Sequence, residues 1–203
     1  MPVVVHLSGS PGSGKNYLAE TLRGTAGLAI VDTDELIQHH NELGKRLVAL
    51  GETAPEAGYV REWRAVFGSA IAEAIARVAR TSRVVLLVGI LNHFGHGNTL
   101  DLDRDLPRLP GAVAAPVIAK LFLDVAPATL LQRYYTRLSD IKDRGYWDRV
   151  ASGDYTITSS SEIVENSARE REWHAEHAYS MVPQEEARRW VELLVTRVLA
   201  TMT

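Results

Sequence analysis

Apolar residues along the chain fall into two alternating patterns, short unbroken runs and longer stretches with helical spacing. Residues 3–7, VVVHL, form a β-branched run that stops at Ser8-Gly9, and an apolar-periodic segment containing Tyr17, Leu18 and Leu22 begins after Lys15. This predicts a strand, a glycine loop and a helix in succession. A second strand is predicted at 29–31, ending in Asp32-Thr33-Asp34, with helical character over 35–51 and Thr33 or Asp34 as the cap. Gly51, Pro55 and Gly58 break that pattern, and Val66, Ala70, Ile71, Ala74, Ile75 and Val78 mark a further helix over 60–80.

Residues 83–91, RVVLLVGIL, are apolar on both faces, which suits a central parallel strand covered by helices on each side. The Gly-, Pro- and Asp-rich segment 92–116 is expected to be a long loop with little regular structure. A fourth strand is predicted at 117–123, and a helix follows it with Pro127 in its first turn. Residues 140–161 are polar and glycine-punctuated, as in an exposed flap. Helix returns over 162–177, a short strand over 179–182, and an amphipathic helix over 185–199. The alternation of strands and helices is that of an α/β protein with a central parallel sheet.

Bulk properties narrow this picture. The chain has 203 residues, 46% hydrophobic and 23% charged, which is enough to bury a core and is expected to form one domain over 1–203. No uninterrupted apolar stretch is long enough for a membrane span, and no secretory signal precedes the first strand, so a cytoplasmic protein with no membrane partner is expected. With no cysteine, thiolate metal sites and cysteine nucleophiles are excluded. A net charge of -3 argues against a broad nucleic-acid surface and leaves room for a local basic pocket.

The chemistry concentrates at GSPGSGKNYLAE, residues 9–20. A phosphate needs several donors at close range, and Gly9, Gly12 and Gly14 let backbone N–H groups approach it. The helix beginning near Lys15 adds its positive end, and the Lys15 ammonium can reach β- and γ-phosphates. The match to G-x-x-x-x-G-K is complete, so Gly9, Ser10, Pro11, Gly12, Ser13, Gly14, Lys15, Asn16 and Tyr17 form a candidate nucleotide-binding set. Asn16 stands where a Ser or Thr hydroxyl normally touches Mg²⁺; an amide oxygen is a bulkier substitute.

With this variant Walker A motif between a predicted strand and helix, the chain resembles the P-loop small-molecule kinases, which include the nucleoside monophosphate, shikimate and gluconate kinases. The resemblance implies a three-layer P-loop kinase fold with a mobile lid, with ATP and Mg²⁺ as cofactors. It also implies acceptor-binding helices over 34–81 and a lid region over 133–161. VDTDELI resembles shikimate kinase, which implies Asp32 on the metal side with Asn16, and Asp34 orienting or deprotonating the acceptor. As a rival reading, Asp34 only caps its helix.

GYVREWR places Arg61 and Arg64 where related kinases hold a substrate anion; surface arginines would look the same. The third-strand end, with Gly89, Asn92 and His93, carries neither the glycine run of shikimate kinases nor the Asp-Gly of adenylate-type kinases. This argues against shikimate as acceptor, and leaves Gly89, Asn92 and His93 as a distinct acceptor pocket, with His96 nearby. Arg133 and Arg137 share a helix face and resemble the R-x-x-x-R that opens an adenylate-type lid. Arg169 and Arg171 in SAREREW resemble the phosphoryl clamp, and Arg144 and Arg149 are placed to close over ATP. The competing reading is a charged solvent face in which Glu162, Glu165, Glu170 and Glu172 balance these arginines.

Together these readings point to an ATP-dependent phosphotransferase with Lys15, Asp34, Arg133 and Arg137 as catalytic residues. Its acceptor would be a small molecule, a nucleotide or nucleoside in preference to a sugar acid, with Arg61 and Arg171 on the substrate side. The alternatives are a kinase of a hydroxylated metabolite, a 5′-hydroxyl nucleic-acid kinase, or a nucleotide-binding regulator without turnover.

Overall fold

The computed structural model describes residues 2–36, 56–89, 91–93, 98–108, 116–152 and 157–201. Strand β1 (Val3–Gly9) leads through the glycine loop into α1 (Lys15–Leu22), followed by β2 (Leu28–Asp32), α2 (Thr33–Leu36) and α3 (Glu56–Val78). Then come β3 (Val84–Val88), the two-residue strands β4 (Asn92–His93) and β5 (Asn98–Thr99), α4 (Leu102–Asp105) and a 3-10 turn at Leu106–Arg108. Strand β6 (Val117–Asp124), α5 (Pro127–Ser139), α6 (Arg144–Ser152), α7 (Ser160–Glu176), β7 (Ser180–Pro183) and α8 (Gln184–Ala200) complete the described chain.

Five strands form a sheet in the order β2-β3-β1-β6-β7, and every pairing in it is parallel. The sheet is the middle of three layers. On one side, Val5 and Leu7 of β1, with Leu86 and Val88 of β3, pack against Leu18 and Leu22 of α1 and Ala187, Val191 and Val195 of α8. On the other, Val4, Val85 and Leu87 pack against Phe67, Ile71 and Ile75 of α3. All five residues of β3 are fully buried, as its two-sided apolar run requires.

One expectation is corrected. Residues 92–116 are not a bare loop: β4 and β5 pair antiparallel, Asp101 caps α4 by accepting from the N–H groups of Asp103 and Arg104, and Leu100, Leu102 and Leu106 enter the core. The three leucines are spaced too irregularly to register as an element, yet each is 1% exposed. The polar 140–161 segment includes the largely exposed helix α6, whose Trp147 donates to the carbonyl of Ile141 at 2.9 Å. Strand β3 stops at Val88 because Gly89 (φ 137) turns the chain where β2 gives way to α2. The predicted helix over 35–51 lies mostly outside the described residues.

Candidate functional site

The connection leaving β1 runs to β2 on one side of the sheet, and the one leaving β6 runs to β7 on the other. A crevice opens beyond the strand ends at such a reversal. The glycine loop lies in it. Ser13 N–H donates to Ser10 O at 2.9 Å, and Leu18 N–H donates to Gly14 O at 2.9 Å, closing the loop and starting α1. Gly14 precedes the helix in the left-handed region (φ 93), and a Cβ there would overlap the side-chain amide of Gln184. Lys15 is only 8% exposed, and its Nζ donates to Gly9 O at 2.7 Å and Ser10 O at 3.3 Å. Burial lowers its pKa, opposed by the charges of Glu170, Asp34 and Asp32. The buried Ser13 hydroxyl has no hydrogen-bond partner.

Arg133 reaches the loop from α5. One guanidinium nitrogen donates to Gly12 O at 3.0 Å and Ser13 O at 3.2 Å, the other to Gln184 Oε1 at 2.7 Å. With Arg137, Tyr134, Tyr146 and Asn166 it borders a cleft of about 450 Å³ over Ser10, Pro11 and Gly12. A larger cleft of about 810 Å³ between β6 and α7 shares Ser10 and Ser167 with the first and is rimmed by Arg171, which pairs with Asp124 at 2.8 Å. Asn16 and Tyr17 are exposed on α1. Arg169 donates to Asn166 and stays on the surface.

At the end of β2, Asp32 accepts the backbone N–H of Asp34 at 2.8 Å, so neither Thr33 nor Asp34 makes this capping contact. Asp32 is half-buried and its pKa is raised, chiefly by desolvation, while Asp34 is exposed. Gly89 is buried beneath α2, where a Cβ would overlap the Thr33 hydroxyl. The side chains of Arg61, Arg64, Asn92, His93 and Arg149 lie outside the described residues, as does His96 altogether.

Behind the loop is a polar network that the strand pattern concealed. His6 and Ser8, two apart on β1, share one face and are both completely buried. The His6 ring donates from Nε2 to Gly89 O at 3.0 Å and accepts at Nδ1 from the Tyr179 hydroxyl at 2.7 Å. His174 of α7 donates from Nδ1 to Glu170 O at 2.6 Å and accepts at Nε2 from Ser8 at 2.7 Å. Carbonyl partners can only accept, which settles both tautomers. Burial lowers the His6 pKa to about 3 and that of His174 to about 4, so both rings are neutral near pH 7. Desolvation also pushes the Tyr179 hydroxyl far up.

Glu170 corrects the reading of α7 as a solvated charged face. It is 7% exposed, its Oε2 has no hydrogen-bond partner, and desolvation raises its pKa against the opposing effects of the Ser10 hydroxyl and the Lys15 charge. The signal for this was present in the Glu170 and His174 spacing, four apart on one helix face, with Ser167 three before. Gln184 was missed because its role depends on where the last helix starts in space. Among the described residues no cluster of three His, Asp or Glu side chains has metal-ligating geometry, and no helix is long and apolar enough to cross a membrane.

No family model matches the chain, and no curated protein matches it in sequence. Its backbone is similar to that of shikimate kinase from Bacteroides thetaiotaomicron, with a TM-score of 0.54 and 18% identity over 96% of this chain and 98% of that one. It is also similar to a chain of the Pnkp1/Rnl/Hen1 RNA repair complex, with a TM-score of 0.50 and 15% identity over 90% of this chain and 48% of that one. A gluconokinase from Sinorhizobium meliloti aligns with a TM-score of 0.42 and 18% identity over 83% of this chain and 74% of that one. The parallel order β2-β3-β1-β6-β7, with the glycine loop after the central strand, is therefore the P-loop kinase-like fold.

Proposed function

We propose that the chain is a single-domain ATP-dependent phosphotransferase acting on a small acceptor, a nucleotide or nucleoside in preference to a sugar acid. One observation carries this reading: a complete glycine loop at the sheet's reversal point, with a buried lysine and an unpartnered serine hydroxyl within it. The loop residues fit a phosphate chain. The Ser13 hydroxyl is free to donate to it, and Lys15 can exchange its contacts with Gly9 O and Ser10 O for phosphate oxygens. Bound ATP would supply the γ-phosphoryl group, and Mg²⁺, held on the Asn16 and Asp32 side, would neutralise its charge.

In this scheme the residues supply positioning and electrostatics. Arg133 braces the loop from α5, and Arg137 lines the same cleft on the lid side. Asp34, exposed at the strand edge, orients the acceptor hydroxyl and takes its proton as the new O–P bond forms. Asn92, His93, Arg61 and Arg171 are assigned to the acceptor side, whereas Gly89, buried beneath Thr33 with its carbonyl held by His6, only turns the chain there. A second reading, a nucleotide-binding regulator without turnover, is favoured by one feature: position 16 has an amide in place of the hydroxyl that usually meets the metal.

The deciding experiment measures ADP release from Mg-ATP alone and across nucleoside monophosphates, nucleosides and small hydroxy acids. Stimulation by one acceptor, lost in Asp34→Asn with nucleotide binding retained, supports the kinase. Binding without stimulated release across all three classes favours the regulator. Lys15→Ala is expected to weaken nucleotide binding by about a hundredfold, or ~2.7 kcal/mol, under either reading.

A further inference from the structure

The most unusual group near the loop is an anion where a phosphate-binding site calls for cations. Glu170 extends from α7, buried, toward Ser10 and within the electrostatic reach of Lys15. Its place is set by its own helix: Ser10 donates to Ser167 at 3.3 Å, and Ser8 donates to His174 at 2.7 Å, so contacts three residues before and four after it tie α7 to β1 and the loop. The unpartnered Oε2 has no donor to offset its desolvation. A buried carboxylate left with an unsatisfied oxygen is costly, and its nearby compensating charge is the lysine on which phosphate binding would depend.

We propose that Glu170 is an anionic competitor for Lys15 that sets how strongly the loop takes a polyanionic ligand. The inference rests on reading Gly9–Lys15 as a phosphate site. From α7 the carboxylate balances the ammonium charge and opposes any further anion at the loop. With water largely excluded, that opposition is stronger than between surface charges. A phosphate chain that draws Lys15 away leaves the carboxylate both uncompensated and next to new negative charge. Binding therefore proceeds with Glu170 protonated, or against a penalty that a neutral side chain would not impose. Glu170 thus determines affinity at the donor site without contributing attraction of its own.

The test is calorimetric titration of ADP with a chelator present, which removes any role of a divalent cation. Glu170→Gln is expected to tighten ADP binding by about five- to tenfold at about pH 8, and Glu170→Ala to do the same if its fold is retained. The ratio of wild-type to Glu170→Gln dissociation constants should fall as pH is lowered from about 8 to about 5.5, the direction in which the wild-type carboxylate, its pKa raised by desolvation, takes up a proton. Comparison at each pH cancels the titration of ADP itself. The groups facing this region are Lys15 and Ser10 from the loop, His6 and Ser8 from β1, His174 from α7, and Asp32 and Asp34 acting on Lys15 from β2 and α2. The two histidines are neutral throughout that pH range. A ratio of one or less at the higher pH, in both variants, overturns the inference. Equal ADP affinity in wild type and Lys15→Ala overturns instead the phosphate-site reading beneath it.

Discussion

The two faces of β1 are built on different principles. Val5 and Leu7 point into a layer made by α1 and α8, where the contacts are between apolar side chains. His6 and Ser8 point the other way, into a layer just as dry, where each polar atom meets a specific partner on Gly89, Tyr179 or His174. Apolar packing fixes how closely the helices lie on the sheet and tolerates small shifts. Hydrogen bonds between buried groups fix direction as well, because an unmade bond leaves a desolvated donor or acceptor. The polar face thereby joins three chain segments that end at the crevice: the loop, the turn at Gly89, and α7 with Glu170. Both faces hold the fold together, since Val4 packs on the second face against α3, but only the second also sets the relative positions of the groups around the crevice.

This contrast can be broken at its most constrained point. Gly89 combines a positive φ with a Cβ direction filled by Thr33, so Gly89→Ala is expected to destabilise the protein by about 4 kcal/mol. Denaturant unfolding would check this; a loss below about 1 kcal/mol would mean that α2 moves aside freely. On the apolar face, Leu7→Ala should lower stability by about 3 kcal/mol while leaving ADP affinity within about twofold once the protein is folded. A larger affinity change would show that the apolar layer also positions the loop.

The polar face should reveal itself through pH. His6 and His174 have folded-state pKa values below the unfolded value of 6.5, so the unfolded chain binds protons first as pH falls. Their contribution is complete above about pH 6.5 and is lost as pH drops through the window down to about 4 and about 3. Urea midpoints should therefore fall progressively between neutral pH and about pH 4, and His174→Gln should flatten part of that slope. An unchanged slope would assign the acid sensitivity to carboxylates. The smallest effect is expected at the surface. Arg171→Ala removes an exposed pair with Asp124 and should change stability by less than about 0.5 kcal/mol, so a large loss of turnover in this variant would indicate acceptor contact.

The order of strands and helices was legible because each strand is a short apolar run and each break carries Gly, Pro or Asp. The phosphate loop was legible for a related reason: its function depends on backbone freedom at fixed spacing, which only glycine provides. By contrast, the short elements within 92–116 were hidden because their three core leucines follow no period. Glu170 was read with its charged neighbours, since charge along a helix does not say which side meets solvent. Asp32 takes the Asp34 N–H because a side chain two residues back reaches that donor in a tight turn.

By itself, the sequence determined the α/β alternation, the glycine loop with Lys15, and the arginine pair on α5, because local propensity, backbone freedom and helical spacing act over a few residues. Only the tertiary structure decided that Arg133 braces the loop against Gln184, that His6 and Ser8 are satisfied in the core, and that Glu170 is buried within electrostatic reach of Lys15. Those arrangements bring together residues far apart in the chain, and whether a polar side chain is solvated, paired or stranded depends on what the fold brings against it.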